Sequence, residues 1–452
     1  MDDLEHYRRR LQAKVFAGAF EHVARLGWSA ERVAARQAAG LRALLAHAQA
    51  LSPFHARRLK GVDAEAFRLA DLPRLPVMTK ADMMAGFDEV PTDRRLTRAA
   101  VEQALAETGD RPKPLFGDYV CYATGGSSGV RGIFVWDAEA MAEFVLSTKR
   151  PGLRAAMSGQ AQPGKAAMVA AGSAVHMTGS AEALTEGTPE PFVAVPATLP
   201  LEVIVARLNA IQPQQLFGYP SMLARLAAEQ AQGRLAIAPG LVTCSSETLT
   251  AEQRQAIRTG FGAPVVNTFA CTEGLVGHSA PDEEPLTFNS DICLVELVDA
   301  DYRPVPPGRP SDRVLVTNLA NRVQPLIRYE LSDRFVQVEG DPACGHLQAL
   351  VEGRSDDVLR YGRIAVHPHA ITSVMVRRPE VADYQVRQTP RGIEVDVLGR
   401  DDGGLGEALR ASLARAGLPD PQVAVRAVAA LPHDARTGKL RRIVPAPALE
   451  SA

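Results

Sequence analysis

The first 60 residues place apolar side chains at helical spacing. Two sets of positions each fall on one helix face: Val15, Phe16, Phe20 and Val23, followed by Leu41, Leu44 and Leu45. Pro53 interrupts this periodicity, and Thr79 stands where the N-cap of a further helix over 81–84 is expected. The pattern predicts a layer of packed helices that carries no chemistry of its own.

From residue 118 onward, β-prone runs alternate with helical stretches. The predicted strands are 118–123, 133–136, 165–174, a short run before Gly218, 241–245 and 264–270. The predicted helices are 138–157, 201–210, a helix that Ser221 caps, and 250–259. Such alternation is typical of an α/β domain with a largely parallel sheet.

A second change in the pattern follows residue 290. Strands at 292–298, 313–317 and 334–338 are joined by turns rich in Pro and Gly, which predicts a mostly antiparallel β unit. A polar segment at 353–357 resembles a hinge, and beyond it a strand at 393–398, a helix at 406–416 and a strand at 422–428 predict a small α+β domain. The expected organisation is a large domain over 1–352, a hinge over 353–357 and a small domain over 358–452.

Composition narrows the class of protein. The 452 residues carry a net charge of −2 with 46% hydrophobic residues, which fits a globular protein of two or three domains and argues against a nucleic-acid partner. The charged N-terminus does not look like a signal peptide, and the apolar run 166–175 is too short to cross a membrane. The five cysteines are scattered and odd in number, so a disulfide framework is not expected. We expect a cytoplasmic enzyme.

The stretch 121–136, CYATGGSSGVRGIFVW, is the strongest candidate for chemistry. Its glycines allow several backbone N–H groups to point at one spot, and such concave amide nests bind phosphate. The stretch is not a Walker loop, because no Gly-Lys follows, and it is not a dinucleotide fingerprint, because it returns to a strand. An ordinary Gly/Ser hairpin turn remains the alternative.

Six polar clusters occur in one order along the chain: TGGSSGVRG (124–132), SSETL (245–249), NTFACTEG (267–274), IRYELSD (327–333), GRSDD (353–357) and RTGKLRR (436–442). Together they resemble the adenylate-forming enzymes, and SPFHARRL, DLPRLPVMTK and FGYPSML are similar to the phenylacetate–CoA ligase branch. The resemblance implies an α/β fold: a large N-terminal α/β domain with a β subdomain, plus a small mobile α+β C-terminal domain.

The resemblance implies an ATP site in the first cluster. The residues that match the phosphate-binding loop of the family are Thr124, Gly125, Gly126, Ser127, Ser128 and Gly129. Arg131 and Gly132 stand where the family often has Pro and Lys, so Arg131 either supplies the positive charge or is a surface residue.

The clusters around residues 246 and 272 match the adenine and metal sites of the family. By this resemblance Thr272 and Glu273 form the motif whose Glu binds Mg²⁺, and Phe269 stacks on adenine in place of Tyr. Ser246 and Glu247 correspond to the segment along the adenine edge. The alternatives are an N-cap box for Thr272 and Glu273 and a strand-end turn for Ser246 and Glu247.

The last clusters match residues for the ribose, the hinge and catalysis. Asp333 corresponds to the carboxylate that accepts from both ribose hydroxyls, Arg354 to an arginine that contacts ribose and phosphate, and Asp356 to the hinge residue. Lys439 corresponds to the catalytic lysine of the family. Glu273 and Arg354 correspond to the residues that act with it in catalysis. The alternatives are a turn cap at Asp333, an interdomain salt bridge at Arg354 and a basic C-terminal tail around Lys439.

Three residues are candidates for the acyl pocket, namely Tyr122, His176 and Tyr219, although each could equally be structural. Cys344 and His346 resemble part of a zinc-binding turn, but the second cysteine is absent and only His278 follows Glu273 as a companion, which argues against zinc.

The implied activity is ATP-dependent conversion of an aryl or arylacetic acid to an acyl-adenylate, followed by transfer to the thiol of coenzyme A with release of AMP. The implied cofactors are ATP, Mg²⁺ and coenzyme A. One alternative acceptor is the phosphopantetheine of a carrier protein, and a homodimer is also left open. A second alternative is a non-catalytic nucleotide- or acyl-CoA-binding protein.

Overall fold

The computed structural model of this chain describes residues 2–124, 132–159, 164–189, 191–340, 344–354, 358–362, 364–366, 369–375, 378, 381–399, 404–433 and 440–446. Among the helices in these ranges, none combines the length and apolar character that a membrane span requires.

A layer of helices forms the N-terminal part of the molecule. Its helices are α1 (Asp3–Arg25), α2 (Ala30–Leu51), α3 (Pro53–Arg58), α4 (Lys80–Ala85) and α5 (Arg98–Ala106). Thr79 caps α4 as the sequence predicts and forms a capping box with Asp82, and at α2 the Ser29 side chain accepts from the Arg32 N–H.

The buried face of α1 differs from the predicted one. Phe16 and Phe20 are 85% and 76% exposed, whereas Leu4, Tyr7 and Leu11 are buried. The prediction failed because the same buried face continues through the polar His22 and Arg25, which both contact Glu143, a residue far away in the sequence. Apolar periodicity alone does not reveal such a face.

The glycine-rich stretch lies between two antiparallel strands, β1 (Tyr119–Thr124) and β2 (Gly132–Asp137). Helix α6 (Ala138–Met157) begins directly after β2, with Asp137 accepting from the Ala140 N–H at 2.8 Å. The positions of the two strands match the predictions from the sequence to within one residue, and the bounds of the helix match them fully.

Nine strands form the central sheet: β3 (Ala166–Ala170), β4 (Phe192–Pro196), β5 (Gln215–Gly218), β6 (Leu241–Ser245), β7 (Val265–Ala270), β8 (Val276–Ser279), β9 (Leu286–Phe288), β13 (Asp333–Gln337) and β14 (Gln348–Arg354). Their order is β13-β14-β9-β8-β7-β6-β5-β3-β4. Pairing is parallel from β4 through β7 and antiparallel from β7 through β13. The predicted α/β fold is confirmed.

The helices that join the parallel strands are α7 (Ala181–Thr185), α8 (Leu201–Ile211), α9 (Pro220–Ala231) and α10 (Ala251–Phe261). Two predictions here are wrong. The strand expected over 165–174 ends at Ala170, because a turn containing Gly172 and Ser173 follows. Ser221 does not cap α9: the helix starts one residue earlier, and the backbone N–H of Ser221 donates to the Glu247 carboxylate.

A separate three-stranded sheet forms the β subdomain. It consists of β10 (Cys293–Val298), β11 (Arg313–Asn318) and β12 (Tyr329–Leu331), all antiparallel. The strand predicted at 334–338 was expected in this unit, but it is β13 and joins the central sheet. Sequence periodicity identifies a strand but not the sheet in which it pairs.

The C-terminal residues form a domain-like unit with its own core. Its elements are β15 (Leu359–Tyr361), β16 (Ile364–Val366), α11 (His369–Met375), β17 (Val381–Thr389), β18 (Gly392–Gly399), α12 (Leu405–Arg415), β19 (Gln422–Val428) and β20 (Ile443–Val444). Val386, Val395 and Leu409 belong to a hydrophobic cluster whose members all lie between 359 and 443. The predicted strands and helix of this region are confirmed.

Candidate active site

A cleft of about 1790 Å³ lies at the carboxyl ends of β5, β6 and β7. Tyr219, Ser246 and Phe269 line it from these three strand ends, and Leu440 and Arg442 line it from the C-terminal unit. Ligands of open α/β sheets bind at the carboxyl ends of parallel strands. The cleft therefore occupies the position that this sheet topology favours for a site.

Thr124, the last residue of β1, lies at the cleft and directly precedes the glycine-rich segment in the sequence. It pairs with Gly132 in the strand register and lines the cleft. Its hydroxyl is buried and finds no hydrogen-bond partner among the described residues. A Cβ atom at Gly132 would lie 2.9 Å from that hydroxyl oxygen, so glycine is needed for the close approach. The loop residues predicted to hold phosphate, Gly125, Gly126, Ser127, Ser128, Gly129 and Arg131, lie outside the described residues.

Phe269 lines the cleft from β7 and is held by other aromatic rings. Its ring makes edge contacts with Phe288 and Phe335, at centroid distances of 5.8 and 5.3 Å. The ring is only partly buried. The Phe269 ring therefore presents an aromatic surface to the cleft, and its contacts with Phe288 and Phe335 fix its orientation.

The turn after β7 positions Thr272 and Glu273, both of which line the cleft. Gly274 has φ +106°, and the amide of Asn318 donates to the Glu273 carbonyl at 3.0 Å. A Cβ at Gly274 would lie 2.1 Å from that amide nitrogen, so a side chain at 274 would displace Asn318. Glu273 is 6% exposed. Its backbone is thus fixed beside the cleft.

Asp333 lines the cleft at the start of β13, and Arg354 is its partner in the antiparallel register with β14. Register partners in antiparallel strands have neighbouring Cα atoms, so the two predicted ribose residues are adjacent in the backbone. The Arg354 side chain and the predicted hinge residue Asp356 lie outside the described part of the structure.

Ser246 and Glu247 follow β6 and line the cleft, but their contacts differ from those of a simple strand-end turn. Ser246 has φ +69°, a left-handed conformation that is rare for a residue with a side chain. Glu247 accepts the Ser221 N–H at 3.1 Å and the Leu440 N–H at 2.8 Å, one on each carboxylate oxygen. Lys439, the neighbour of Leu440 in the sequence, lies outside the described residues.

Of the three predicted pocket residues, two line the cleft. His176 and Tyr219 are lining residues, whereas Tyr122 is fully buried in the main core, with its hydroxyl 3.0 Å from Ser180 Oγ. Burial raises the pKa of Tyr122, so its hydroxyl stays protonated. We correct its assignment: Tyr122 is a packing residue.

His278 is a cleft residue that the sequence analysis considered only as a zinc companion. Its Nε2 donates to the Ser147 carbonyl at 3.0 Å, and its Nδ1 accepts from the Thr268 hydroxyl at 3.0 Å. Burial lowers its pKa to about 4, so the ring is neutral at pH 7. Its position on β8, opposite Thr268 in the strand register, follows from the fold and has no signature in the sequence.

The residues considered for zinc have other partners. His346 donates from Nε2 to the Arg25 carbonyl at 2.8 Å and accepts the Ser290 N–H at Nδ1. Cys344 is partly exposed beside the cleft. Within the described ranges, no three Cys, His, Asp or Glu side chains are grouped as metal ligands.

Comparison with known proteins gives one extended sequence match. No protein-family model matches the chain. Phenylacetate-coenzyme A ligase from Thermus thermophilus is 27% identical over 380 residues, which cover 79% of this chain and 78% of that protein.

Solved structures match over nearly the whole chain. The 2-hydroxyisobutyryl-CoA ligase in its postadenylation state, in complex with an acyl-AMP, superposes with a TM-score of 0.70 at 19% identity, covering 93% of this chain and 91% of that one. The same ligase in its thioesterification state, with acyl-AMP and CoA, gives a TM-score of 0.58 at 18% identity, over the same shares of the two chains.

Proposed function

We propose that this chain, which has the fold of the adenylate-forming CoA ligases and is similar in sequence to a phenylacetate-coenzyme A ligase, is an AMP-forming acid–thiol ligase. It would activate a carboxylic acid with ATP and transfer the acyl group to the thiol of coenzyme A. The observation that carries this proposal is the convergence of residues from separate segments on one cleft: Thr124, Phe269, Glu273, Asp333 and Leu440.

The cleft fits a magnesium nucleotide. A buried hydroxyl without a described partner at Thr124 and a glycine-rich loop next to it suit phosphate oxygens. Phe269 offers a ring face or edge for adenine, and Asp333 a carboxylate for the ribose hydroxyls. Glu273 supplies an oxygen ligand for Mg²⁺, which in such sites is held by one or two carboxylates together with substrate phosphates. When bound, Mg²⁺ neutralises charge on the phosphates.

In the first step, the substrate carboxylate attacks the α-phosphorus of ATP. An acyl–oxygen–phosphorus bond forms, the bond between the α-phosphorus and its bridging oxygen to the β-phosphorus breaks, and pyrophosphate leaves. Negative charge grows on the reacting oxygens, and a positioned cation stabilises it. We assign this role to Lys439, whose sequence neighbour Leu440 lines the cleft.

In the second step, the sulfur of the thiol attacks the acyl carbonyl carbon, the thiol proton is lost and AMP leaves with the electrons of the broken bond. This step needs a path for the thiol that the C-terminal segment does not occupy. We propose that the domain arrangement changes between the two steps, with Asp356 as the hinge. The chain superposes better on the postadenylation state of the solved ligase than on its thioesterification state, so we assign the arrangement described here to the first step.

The acid we propose is an aryl or arylacetic acid. Support comes from the name of the sequence relative and from the cleft, which Met177, Phe217 and Tyr219 line with apolar and aromatic groups. The acceptor we propose is coenzyme A. A carrier protein is the alternative, and an assay with each acceptor distinguishes them.

The test is exchange of labelled pyrophosphate into ATP with phenylacetate, benzoate, 4-hydroxybenzoate and 2-hydroxyisobutyrate. We expect exchange that depends on the acid and is greatest with an aromatic one. Lys439→Ala should lower it by about 10²-fold or more, while Lys60→Ala, an exposed control, should leave it unchanged. Nucleotide binding without exchange for any acid would favour the non-catalytic binding protein.

A further inference from the structure

The C-terminal segment that follows Lys439 makes contacts with both the small C-terminal unit and the large domain. On its own side, it belongs to the small unit: Ile443 pairs with Val386 of β17, and the Val386 N–H donates to the Arg442 carbonyl at 2.7 Å. On the opposite side, Glu247 of the large domain accepts the Leu440 N–H at 2.8 Å. The segment therefore lies at the junction of the two units.

Arg442 makes a second contact across this junction. Its Nε and Nη2 bind the two oxygens of Asp383 at 2.9 and 3.2 Å, and its Nη1 donates to the Thr248 carbonyl at 3.3 Å. Arg442 and Asp383 are 12% and 13% exposed. The guanidinium is thus held in place by β17 while one N–H group reaches the loop that carries Glu247.

Both oxygens of the Glu247 carboxylate are occupied by backbone donors. Oε2 accepts from the Ser221 N–H in the first turn of α9, which has no side-chain cap, and Oε1 accepts from the Leu440 N–H. An ionised carboxylate makes hydrogen bonds stronger than those of a neutral acceptor. The hydrogen bond from the Ser221 N–H fixes the Glu247 side chain, so its Oε1 atom has a defined position when it accepts from the C-terminal segment.

We propose that Glu247 is a positioning residue for adenylation: it docks the segment 440–442 on the large domain and so sets where the chain leaves Lys439. The Leu440 nitrogen is covalently bonded to the carbonyl carbon of Lys439, so a group that holds this N–H restricts the carbonyl end of the lysine residue. This role differs from contact with the adenine edge, which the sequence comparison implied. It rests on the proposed function, in which Lys439 acts in the first step only.

The docking contact is weak enough to be broken during a catalytic cycle. Two hydrogen bonds between described residues cross this junction, one at Glu247 and one at Thr248, and each joins a side chain to a backbone group. Loss of one charge-assisted bond changes an equilibrium by about tenfold or more. Glu247 would therefore favour the adenylation arrangement without preventing the move to the second one.

The test compares Glu247→Gln and Glu247→Ala with Glu284→Ala, an exposed loop control. Glutamine has the same shape but one acceptor oxygen, so it cannot serve both N–H groups. Two rates are measured for the acid that gives the fastest exchange in the panel: adenylation by pyrophosphate exchange, and thioester formation from the synthetic acyl-adenylate and coenzyme A. We expect adenylation to fall about tenfold or more in both Glu247 variants and thioester formation to change less than about twofold. An equal loss of both rates, or unchanged adenylation, would overturn the proposal.

A second measurement needs no substrate. Hydrogen exchange followed by mass spectrometry reports on the Leu440 amide in the full-length protein. We expect this amide to exchange about tenfold faster in Glu247→Ala than in the wild type and the Glu284→Ala control. Unchanged exchange would overturn the docking contact. If the wild-type protein shows no pyrophosphate exchange with any acid, the proposed function fails, and the amide exchange still decides whether Glu247 holds the segment.

Discussion

The backbone of Glu273 is held in place by contacts that do not involve its carboxylate. The Asn318 amide holds its backbone carbonyl, and Gly274 takes the positive φ angle that the turn requires. Its carboxylate is left at the wall of the cleft. Replacing the charged side chain of Glu273 should therefore change the fold little. A change in the reaction rate of such a variant then reports on function and not on stability.

We expect Glu273→Gln to lower pyrophosphate exchange by about 10²-fold, because an amide is a poor ligand for Mg²⁺. The Mg²⁺ concentration that gives the half-maximal rate should rise in the variant. The control is Glu283→Gln in an exposed loop. The proposed role is wrong if the Mg²⁺ dependence of Glu273→Gln equals that of the control, whatever the change in rate.

At the residue scale, sequence reasoning selected positions from separate local motifs that the fold brings to one cleft, and their roles stay predictions. Thr124, Phe269, Glu273 and Asp333 all line the cleft. Sequence reasoning placed Tyr122 in the acyl pocket as well. The error arose because Ser180, distant in the sequence, packs over the tyrosine hydroxyl. The contacts of Glu247 were missed because its partners, Ser221 and Leu440, are also distant from it in the sequence.

At the scale of elements, one buried ion pair joins helices to a loop between strands. Arg150 of α6 binds Asp291 with two hydrogen bonds of 2.6 and 2.8 Å, and both side chains are fully buried. Arg25 of α1 donates to the same carboxylate at 3.3 Å. Burial raises the pKa of Asp291, but Arg150 more than offsets this and lowers it to about 2. The pair is therefore charged at pH 7.

Arg150→Met should lower the free energy of unfolding by about 3–5 kcal/mol, because it leaves a buried carboxylate without its main partner. Arg154→Met, on the exposed side of the same helix, should change it by less than about 0.5 kcal/mol. Urea unfolding at pH 7 measures both. The double variant Arg150→Met/Asp291→Leu should be more stable than Arg150→Met, since the unpaired buried carboxylate is gone and Arg25 keeps its ion pairs with Glu21 and Glu143. A double variant less stable than the single one would contradict this account.

A buried histidine ties α3 to the loop that precedes β12. His55 donates from Nε2 to the Pro325 carbonyl at 2.9 Å, and its Nδ1 accepts from Arg58 at 3.2 Å. Burial, followed by the positive charge of Arg58, lowers the pKa of His55 to about 3. The unfolded chain binds a proton near pH 6.5, so protonation favours unfolding. The stability that depends on neutral His55 is complete above pH 6.5 and decreases as the pH falls toward 3.

We expect His55→Gln to weaken the pH dependence of stability. Between pH 7 and pH 5, the wild-type free energy of unfolding should fall by about 2 kcal/mol more than that of the variant. The measurement is urea unfolding at pH 7, 6 and 5. His6→Gln, at an exposed position in α1, is the control and should retain the wild-type slope. Equal slopes for His55→Gln and the wild type would show that His55 does not titrate as described.

The sequence predicted helices and strands well where the local hydrophobic pattern determines them. It predicted less well the features that depend on tertiary packing. The helix over 138–157 and the strands at 393–398 and 422–428 were placed correctly because their periodicity is strong. The buried face of α1 was not, since ionic contacts replace apolar ones there. The strand at 334–338 was found but assigned to the wrong sheet, because its partner β14 is identified only by the fold.

At the scale of the molecule, the site depends on residues from both ends of the chain. Thr124 lies in the N-terminal half and Leu440 close to the end, and they line the same cleft. The order of motifs predicted this convergence only through resemblance to a family. The way in which the C-terminal segment is held, through Glu247 and Thr248, follows from the three-dimensional arrangement and has no sequence signature.

The central claim is that the substrate carboxylate attacks the α-phosphate of ATP. An acid of the panel labelled with oxygen-18 in its carboxylate tests it most directly, when the protein turns it over with ATP and coenzyme A and the nucleotide product is analysed by mass spectrometry. Our account predicts AMP that carries one labelled oxygen, because the bridging oxygen of the acyl-adenylate comes from the acid. Label in inorganic phosphate together with ADP, or AMP without label, would contradict it.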